Sequence, residues 1–105
     1  MRLNREILRM VDVISDREGH LKLEGKIFRA NIVLGVEVVE TKKTNQSFVK
    51  ELEAALIELC RELEIPIPLW LSKNTHEFAA FHQTLFFADQ FTEKVGFDRF
   101  QIKMS

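Results

Sequence analysis

Apolar and polar residues alternate over positions 21–29, and positions 32–39 are rich in β-branched side chains. A period of two is typical of a strand that buries one face, so each run predicts a β-strand. The two-residue connection ends at Asn31, which tolerates a left-handed backbone, and this favours an antiparallel hairpin. Gly25 and Gly35 lie inside these strands and predict β-bulges or the close approach of another chain segment.

Two amphipathic helices are predicted downstream of the hairpin. Apolar residues recur at three- and four-residue spacing over about 46–64. Pro66 ends this first helix because proline cannot donate a helical hydrogen bond. Asn74 and Glu77 match the two ends of a capping box, so we expect the second helix to begin near residue 75.

The remaining segments complete the predicted sheet. Residues 69–71 indicate a short buried strand between the helices, and residues 97–104 indicate a terminal strand with its apolar side chains on one side. The second helix is expected to weaken over 84–87, where its apolar face becomes inconsistent. The element order β(β)βαβαβ is typical of an α+β fold. We expect an antiparallel or mixed sheet of four to five strands, with two main helices packed on one face.

Residues 1–20 admit two interpretations. Five apolar side chains share one helical face: Leu3, Ile7, Met10, Val11 and Ile14. The same region contains a run that is typical of a strand. The preferred interpretation is a strand over about 6–14, paired through a glycine-containing turn with the next segment of the chain, and a docked helix is the alternative. The whole chain, 1–105, is predicted to form a single domain with 1–20 as an N-terminal extension.

Charge and cysteine content narrow the function classes. The chain has 105 residues and a net charge of −1, from 15 Lys and Arg against 16 Asp and Glu. This balance argues against a general nucleic-acid binder, which needs a basic face. Cys60 is the single cysteine and cannot form an internal disulfide, which together with the absence of a signal-peptide pattern predicts a reducing cytoplasm. The apolar runs are far shorter than the roughly 20 residues that span a bilayer, so no membrane association is expected.

No motif for catalysis, metal binding or cofactor binding is found. His76 and His82 are six residues apart, which places them about 120° apart around a helix, whereas a zinc-protease helix needs a spacing of four. No glycine-rich phosphate loop and no nucleophile elbow is present. Cys60 falls on the apolar face of the first helix, where a buried thiol is usually inert. We therefore predict no catalytic residue, no metal site and no cofactor.

Aromatic residues concentrate at the C-terminal end. Seven of the nine Phe residues lie in the last 28 positions. Burying seven Phe side chains contributes roughly 10–20 kcal/mol, whereas ordering 28 residues costs roughly 30–55 kcal/mol of backbone entropy. The segment must therefore dock on the hairpin and the first helix, which makes most of these rings core. The rest are left for a partner surface or an apolar ligand pocket.

A further pattern extends over most of the chain. It consists of the stretch from Lys22 to Glu40 and of Ala55-Leu56-Ile57-Glu58-Leu59-Cys60, Pro68-Leu69-Trp70-Leu71, Asn74, Glu77-Phe78, His82, Thr84, Phe86, Asp89, Phe91, Glu93 and Phe97-Asp98. Over about 22–40 and 55–104, the chain thereby resembles a family of small bacterial proteins to which no activity is assigned. The resemblance implies that the chain is related to this family, and it implies no catalytic or binding activity.

Two functions are consistent with these features. The first is a non-enzymatic cytoplasmic module that forms a homodimer or binds another protein, because catalytic motifs are absent and a small sheet has edge strands. The alternative is a small-ligand-binding or enzymatic site where the short strand enters the second helix. The candidate ligand-binding residues of that site are Trp70, Asn74, His82, Thr84 and Asp89.

Overall fold

Four strands and two helices make up the fold in the computed structural model, which describes residues 21–41 and 47–105. The strands are β1 (Lys22–Arg29), β2 (Ile32–Glu40), β3 (Gln83–Phe87) and β4 (Arg99–Met104). The helices are α1 (Phe48–Glu62) and α2 (Ser72–Phe81), and a short 3-10 helix (Ala88–Gln90) follows β3. The element order is therefore ββααββ.

The sheet has the strand order β2-β1-β4-β3, and every neighbouring pair is antiparallel. This confirms the α+β class and the antiparallel sheet with two helices. β1 lies between β2 and β4, so both of its edges are occupied along its length. The strand predicted over 6–14 lies outside the described residues.

The hairpin of β1 and β2 agrees with the alternation in the sequence. Its register shifts between Ile27 and Phe28, which leaves Leu34 as the extra residue of a β-bulge. The positive φ of the turn falls on Ala30, at 54°, and not on Asn31 as expected. The Asp98 carboxylate accepts a hydrogen bond from the backbone N–H of Ala30, so a residue far along the chain holds the turn.

The face of the sheet that carries the core is covered by both helices. A methyl group at Gly25 would lie 3.0 Å from Cε1 of Phe100 and 3.2 Å from Cδ1 of Leu59, so α1 approaches the β1 backbone closely. This confirms the predicted close approach at Gly25. The Phe78 side chain on α2 is fully buried in the same core, 5.8 Å from the Trp70 ring between centroids.

The start of α2 differs from the prediction. The helix begins at Ser72, three residues early, and Asn74 is its third residue. The Asn74 side chain accepts a hydrogen bond from the backbone N–H of Leu71 at 2.9 Å, so it caps the helix from inside. Residues 69–71 are not a strand, and Leu69 and Leu71 are 45% and 42% exposed.

Residues 83–87 form β3, where the sequence predicted only a weakening helix. His82 ends α2 in the left-handed conformation, with φ of 57°, which turns the chain back along the sheet. β3 then pairs with β4, and the rings of Phe86 and Phe100 stack at 5.7 Å. Cross-strand packing with a distant segment therefore overrides the local preference for helix.

Most of the C-terminal aromatic residues are core, as the entropy argument predicted. Five of the seven Phe side chains in this region are at most 7% exposed: Phe78, Phe86, Phe91, Phe97 and Phe100. Phe81 and Phe87 are 70% and 45% exposed. Only two of the seven rings are therefore left at the surface.

Candidate functional site

β2 carries five of the nine exposed large apolar side chains of the described structure. β2 is an end strand of the sheet, and within the described ranges it pairs only with β1. Five of its apolar side chains are 46–66% exposed: Ile32, Val33, Leu34, Val36 and Val38. An edge strand presents a row of backbone N–H and C=O groups, so this one is a template for another strand.

The opposite edge of the sheet is protected. The carbonyl oxygen of Leu85 in β3 accepts hydrogen bonds from Asn74 Nδ2 at 2.9 Å and from Lys73 Nζ at 3.4 Å. Lys73 Nζ also lies 4.3 Å from the centroid of the Phe87 ring. A covering helix and an edge lysine are two devices by which proteins block unwanted strand pairing.

The side chains of β2 alternate between two surroundings. Val36 pairs with Lys26 and Val38 pairs with Glu24, so these valines face the side of the sheet away from α1. Glu37 pairs with Gly25, which lies under α1, so Glu37 faces the helix side. We call the side away from α1 the open face.

Negative charge collects on the helix side of this edge. The side-chain hydrogen bond that protonated Glu62 donates to Glu58 raises the pKa of Glu62, and repulsion from the charge of Glu58, desolvation and the charge of Glu37 add to the shift. Arg61 opposes this shift and lies 2.9 Å from Glu58 in an ion pair. Glu37 on β2 and Glu58 on α1 therefore both add negative charge near Glu62, where Arg61 supplies the opposing positive charge.

A groove adjoins the first half of β2. It has a volume of about 470 Å³. Its lining is mostly apolar and includes two charged residues, Glu64 and Lys94. The other lining residues are Ile27, Leu34, Leu63, Ile65, Pro66, Val95, Gly96 and Phe97. The bulged residue Leu34 turns toward this groove, which extends the exposed apolar surface of the edge around to the helix side.

Three of the predicted ligand-binding residues, Trp70, Asn74 and Thr84, are buried, and Asn74 and Thr84 belong to one hydrogen-bonded network. Asn74 Nδ2 donates to Thr84 Oγ1 at 2.8 Å, and Trp70 Nε1 donates to Thr75 Oγ1 at 2.9 Å. Asn74 Oδ1 accepts from Gln90 Nε2 at 3.0 Å as well as from the Leu71 backbone. The amide of Asn74 thus uses both of its donors and both of its acceptor positions.

The other two predicted residues lie apart from this network. His82 is exposed at the C-terminal end of α2, and Asp89 is exposed in the 3-10 helix. A shallow depression of about 200 Å³ is lined by Glu77 and Thr84 among others. A ligand-binding role for the five residues stays a prediction.

The described structure contains a buried thiol and no cluster of potential metal ligands. Burial raises the pKa of the Cys60 thiol to about 12, which keeps it protonated at neutral pH. Within 21–41 and 47–105, no group of three or more His, Cys, Asp and Glu side chains is arranged to hold a metal ion. Neither described helix is long and apolar enough to cross a membrane.

Sequence reasoning missed Gln90 and the exposure of β2. Gln90 lies 16 residues from Asn74, and no local pattern connects them. The run Ile32-Val33-Leu34-Gly35-Val36 predicts a strand but not the strand's place in the sheet. Only the strand order reveals that it is an edge.

Comparison of the chain with protein-family models, with curated proteins and with solved structures finds no significant match. The resemblance to a family of small bacterial proteins therefore stays a prediction.

Proposed function

We propose that this protein is a non-enzymatic interaction module whose β2 edge accepts a strand from a protein partner or from a second copy of itself. The observation that carries the proposal is that, among residues 21–41 and 47–105, no strand lies on the outer side of β2, while Val36 and Val38 are both 47% exposed. A cytoplasmic location belongs to the same proposal, because a single unpaired cysteine suits a reducing compartment.

The contrast between the two sheet edges supports this function. β3 has Asn74 and Lys73 against its outer carbonyl, whereas β2 has no described element on its outer side. β2 is also nine residues long, well above the usual five to six for a strand. A long, apolar edge is a hazard for aggregation unless a partner covers it, and strand addition supplies main-chain hydrogen bonds to such a partner.

The test selects displayed random peptides against the full-length protein and measures their binding to a Val38→Lys variant. The new Lys lies opposite Glu24 in β1, so the fold accommodates it, while the edge loses an apolar contact and gains a charge. We expect the selected peptides to lose at least about tenfold in affinity. Sedimentation of both proteins at micromolar concentration measures self-association at the same edge.

Phe81→Lys is the matched control. Phe81 is 70% exposed and lies in the last turn of α2, where a cation is favourable. The Phe81→Lys variant should bind the same peptides with the affinity of the wild type, and it should sediment like the wild type. A wild-type protein that stays strictly monomeric and binds its selected peptides as tightly after Val38→Lys contradicts the proposal.

A further inference from the structure

We infer that the β2 edge takes an extended protein segment in which apolar and basic side chains alternate; this inference rests on the proposed function. β2 presents two different rows of side chains, one on each face of the sheet, to a neighbouring strand. Val36 and Val38 lie on the open face, while Glu37 between them lies on the helix side, where its charge acts on Glu62.

The alternation of the partner follows from the pleat of a sheet. Side chains that are opposite on paired strands lie on the same face, with Cβ atoms about 4.5–5.5 Å apart. Partner residues beside Val36 and Val38 therefore meet apolar surface on the open face. The partner residue between them lies beside Glu37 on the helix side, where a Lys or Arg pairs with a carboxylate.

Charge crowding specifies a cation at that position. The Glu62 carboxylate is influenced by two other carboxylates, those of Glu58 and Glu37, and the Arg61 guanidinium that opposes them is paired with Glu58 at 2.9 Å. The pKa of Glu62 is raised first by its hydrogen bond with Glu58, and repulsion from the charges of Glu58 and Glu37 adds to the shift. A cation beside Glu37 relieves this repulsion, whereas an anion there adds to it.

The same charges disfavour a second copy as the occupant. In an antiparallel pair of two β2 strands, Val36 or Val38 can lie directly opposite its own copy. The two Glu37 side chains then become diagonal neighbours at about 7–8 Å. Pairing about Glu37 itself places them directly opposite each other, which is destabilising. A segment with alternating apolar and basic side chains makes favourable contacts with both rows of β2 side chains. Self-pairing makes favourable contacts with the apolar row only.

Two synthetic peptides test the inference on the full-length protein. One alternates Val and Lys and the other alternates Val and Glu, so they share length, strand propensity and apolar content. We expect the Val/Lys peptide to bind at least about tenfold more tightly than the Val/Glu peptide by isothermal titration calorimetry. Glu37→Gln should reduce this preference severalfold, and Val38→Lys should abolish binding of the Val/Lys peptide.

Glu93→Gln is the control for charge, because it removes one carboxylate from an exposed position lining a different depression. It should leave the preference unchanged. Equal binding of both peptides that is lost in Val38→Lys overturns the alternating charge pattern but supports the β2 edge as the binding surface.

The two remaining outcomes separate the other possible occupants. If neither peptide binds and the wild type is a dimer that Val38→Lys dissociates, the occupant is a second copy, and the basic segment is overturned while the proposed function stands. If neither peptide binds and the wild type is a monomer, amide hydrogen exchange decides what covers the edge. Joint protection of β2 and residues 6–14 then identifies the chain's own N-terminal segment as the occupant and overturns both proposals.

Discussion

The side-chain amide of Asn74 donates a 2.8 Å hydrogen bond to the hydroxyl of Thr84 and joins the first turn of α2 to β3. Asn74 is fully buried and Thr84 is 3% exposed. The Thr84 hydroxyl in turn donates to Glu77 at 2.5 Å. The network connects α2, the preceding segment, β3 and the 3-10 helix, so its first role is to hold the C-terminal half together.

Asn74→Ala should lower the free energy of unfolding by about 2–4 kcal/mol, because it leaves several buried groups without partners. Chemical denaturation measures the change. Ser72→Ala, at an exposed position of the same helix, should change stability by less than about 0.5 kcal/mol. A double-mutant cycle with Thr84→Val should show a coupling of about 0.5–3 kcal/mol. Additive effects of the two substitutions would show that the bond contributes nothing.

Ala30→Gly should raise the free energy of unfolding by about 0.5–1 kcal/mol. The φ of Ala30 is 54°, a conformation that costs an L residue roughly 1–2 kcal/mol and glycine almost nothing. Thermal unfolding followed by circular dichroism gives the change. Ala54→Gly makes the same replacement at an exposed site within α1, where it should destabilise by about 1 kcal/mol. Equal signs for the two variants would contradict the assignment of the turn.

Gly25→Ala should destabilise the protein by about 1–3 kcal/mol, because the added methyl group would crowd the Phe100 ring and the Leu59 side chain. Gly96→Ala is the matched control. Nothing lies within 4 Å of a methyl group at Gly96, so that variant should be neutral or more stable by up to about 1 kcal/mol. Denaturation midpoints of the two variants are compared directly. A neutral Gly25→Ala would mean that α1 does not press on the β1 backbone.

Cys60 should react slowly with thiol reagents in the folded protein. Its pKa of about 12, against an ordinary value of 9.0, leaves very little thiolate at pH 8. Alkylation should be at least about a hundredfold slower in buffer than in denaturant. Rapid alkylation of the folded protein would contradict the burial of the thiol.

The same raised pKa predicts a loss of stability in alkali. Burial favours the protonated thiol, so its contribution is complete below pH 9 and is lost as the pH rises toward 12. Between these limits the unfolded chain releases the proton and the folded chain keeps it. The free energy of unfolding therefore falls by about 1.4 kcal/mol for each pH unit. Cys60→Ala should remove this component of the slope. Identical slopes for the wild type and the variant would contradict it.

Local periodicity predicted some elements well and failed at others for a physical reason. α1 was predicted over about 46–64 and spans Phe48–Glu62, because its apolar spacing is regular and Pro66 follows it. Residues 69–71 have strand-like composition yet form no strand. The backbone N–H of Leu69 donates to the carbonyl oxygen of Gln90, and a single bond of this kind does not extend into a ladder.

The candidate site could be only partly predicted. Trp70, Asn74 and Thr84 were singled out together and do share a buried region, but their hydrogen-bond partners were not evident. The exposure of the β2 edge was not predicted. Its β-branched composition predicted a strand and carried no information on the strand's place in the sheet, because exposure depends on how many strands flank it.

The sequence by itself determined the hairpin of β1 and β2, the helix α1 and the buried side of β4, because each depends on a periodicity within one segment. Tertiary structure alone decided that residues 83–87 are a strand, that Asn74 meets Gln90, and that β2 is an edge with Glu37 near Glu62. These features depend on segments that are distant in the chain. Their contacts become favourable only once the whole sheet has assembled, so no local pattern encodes them.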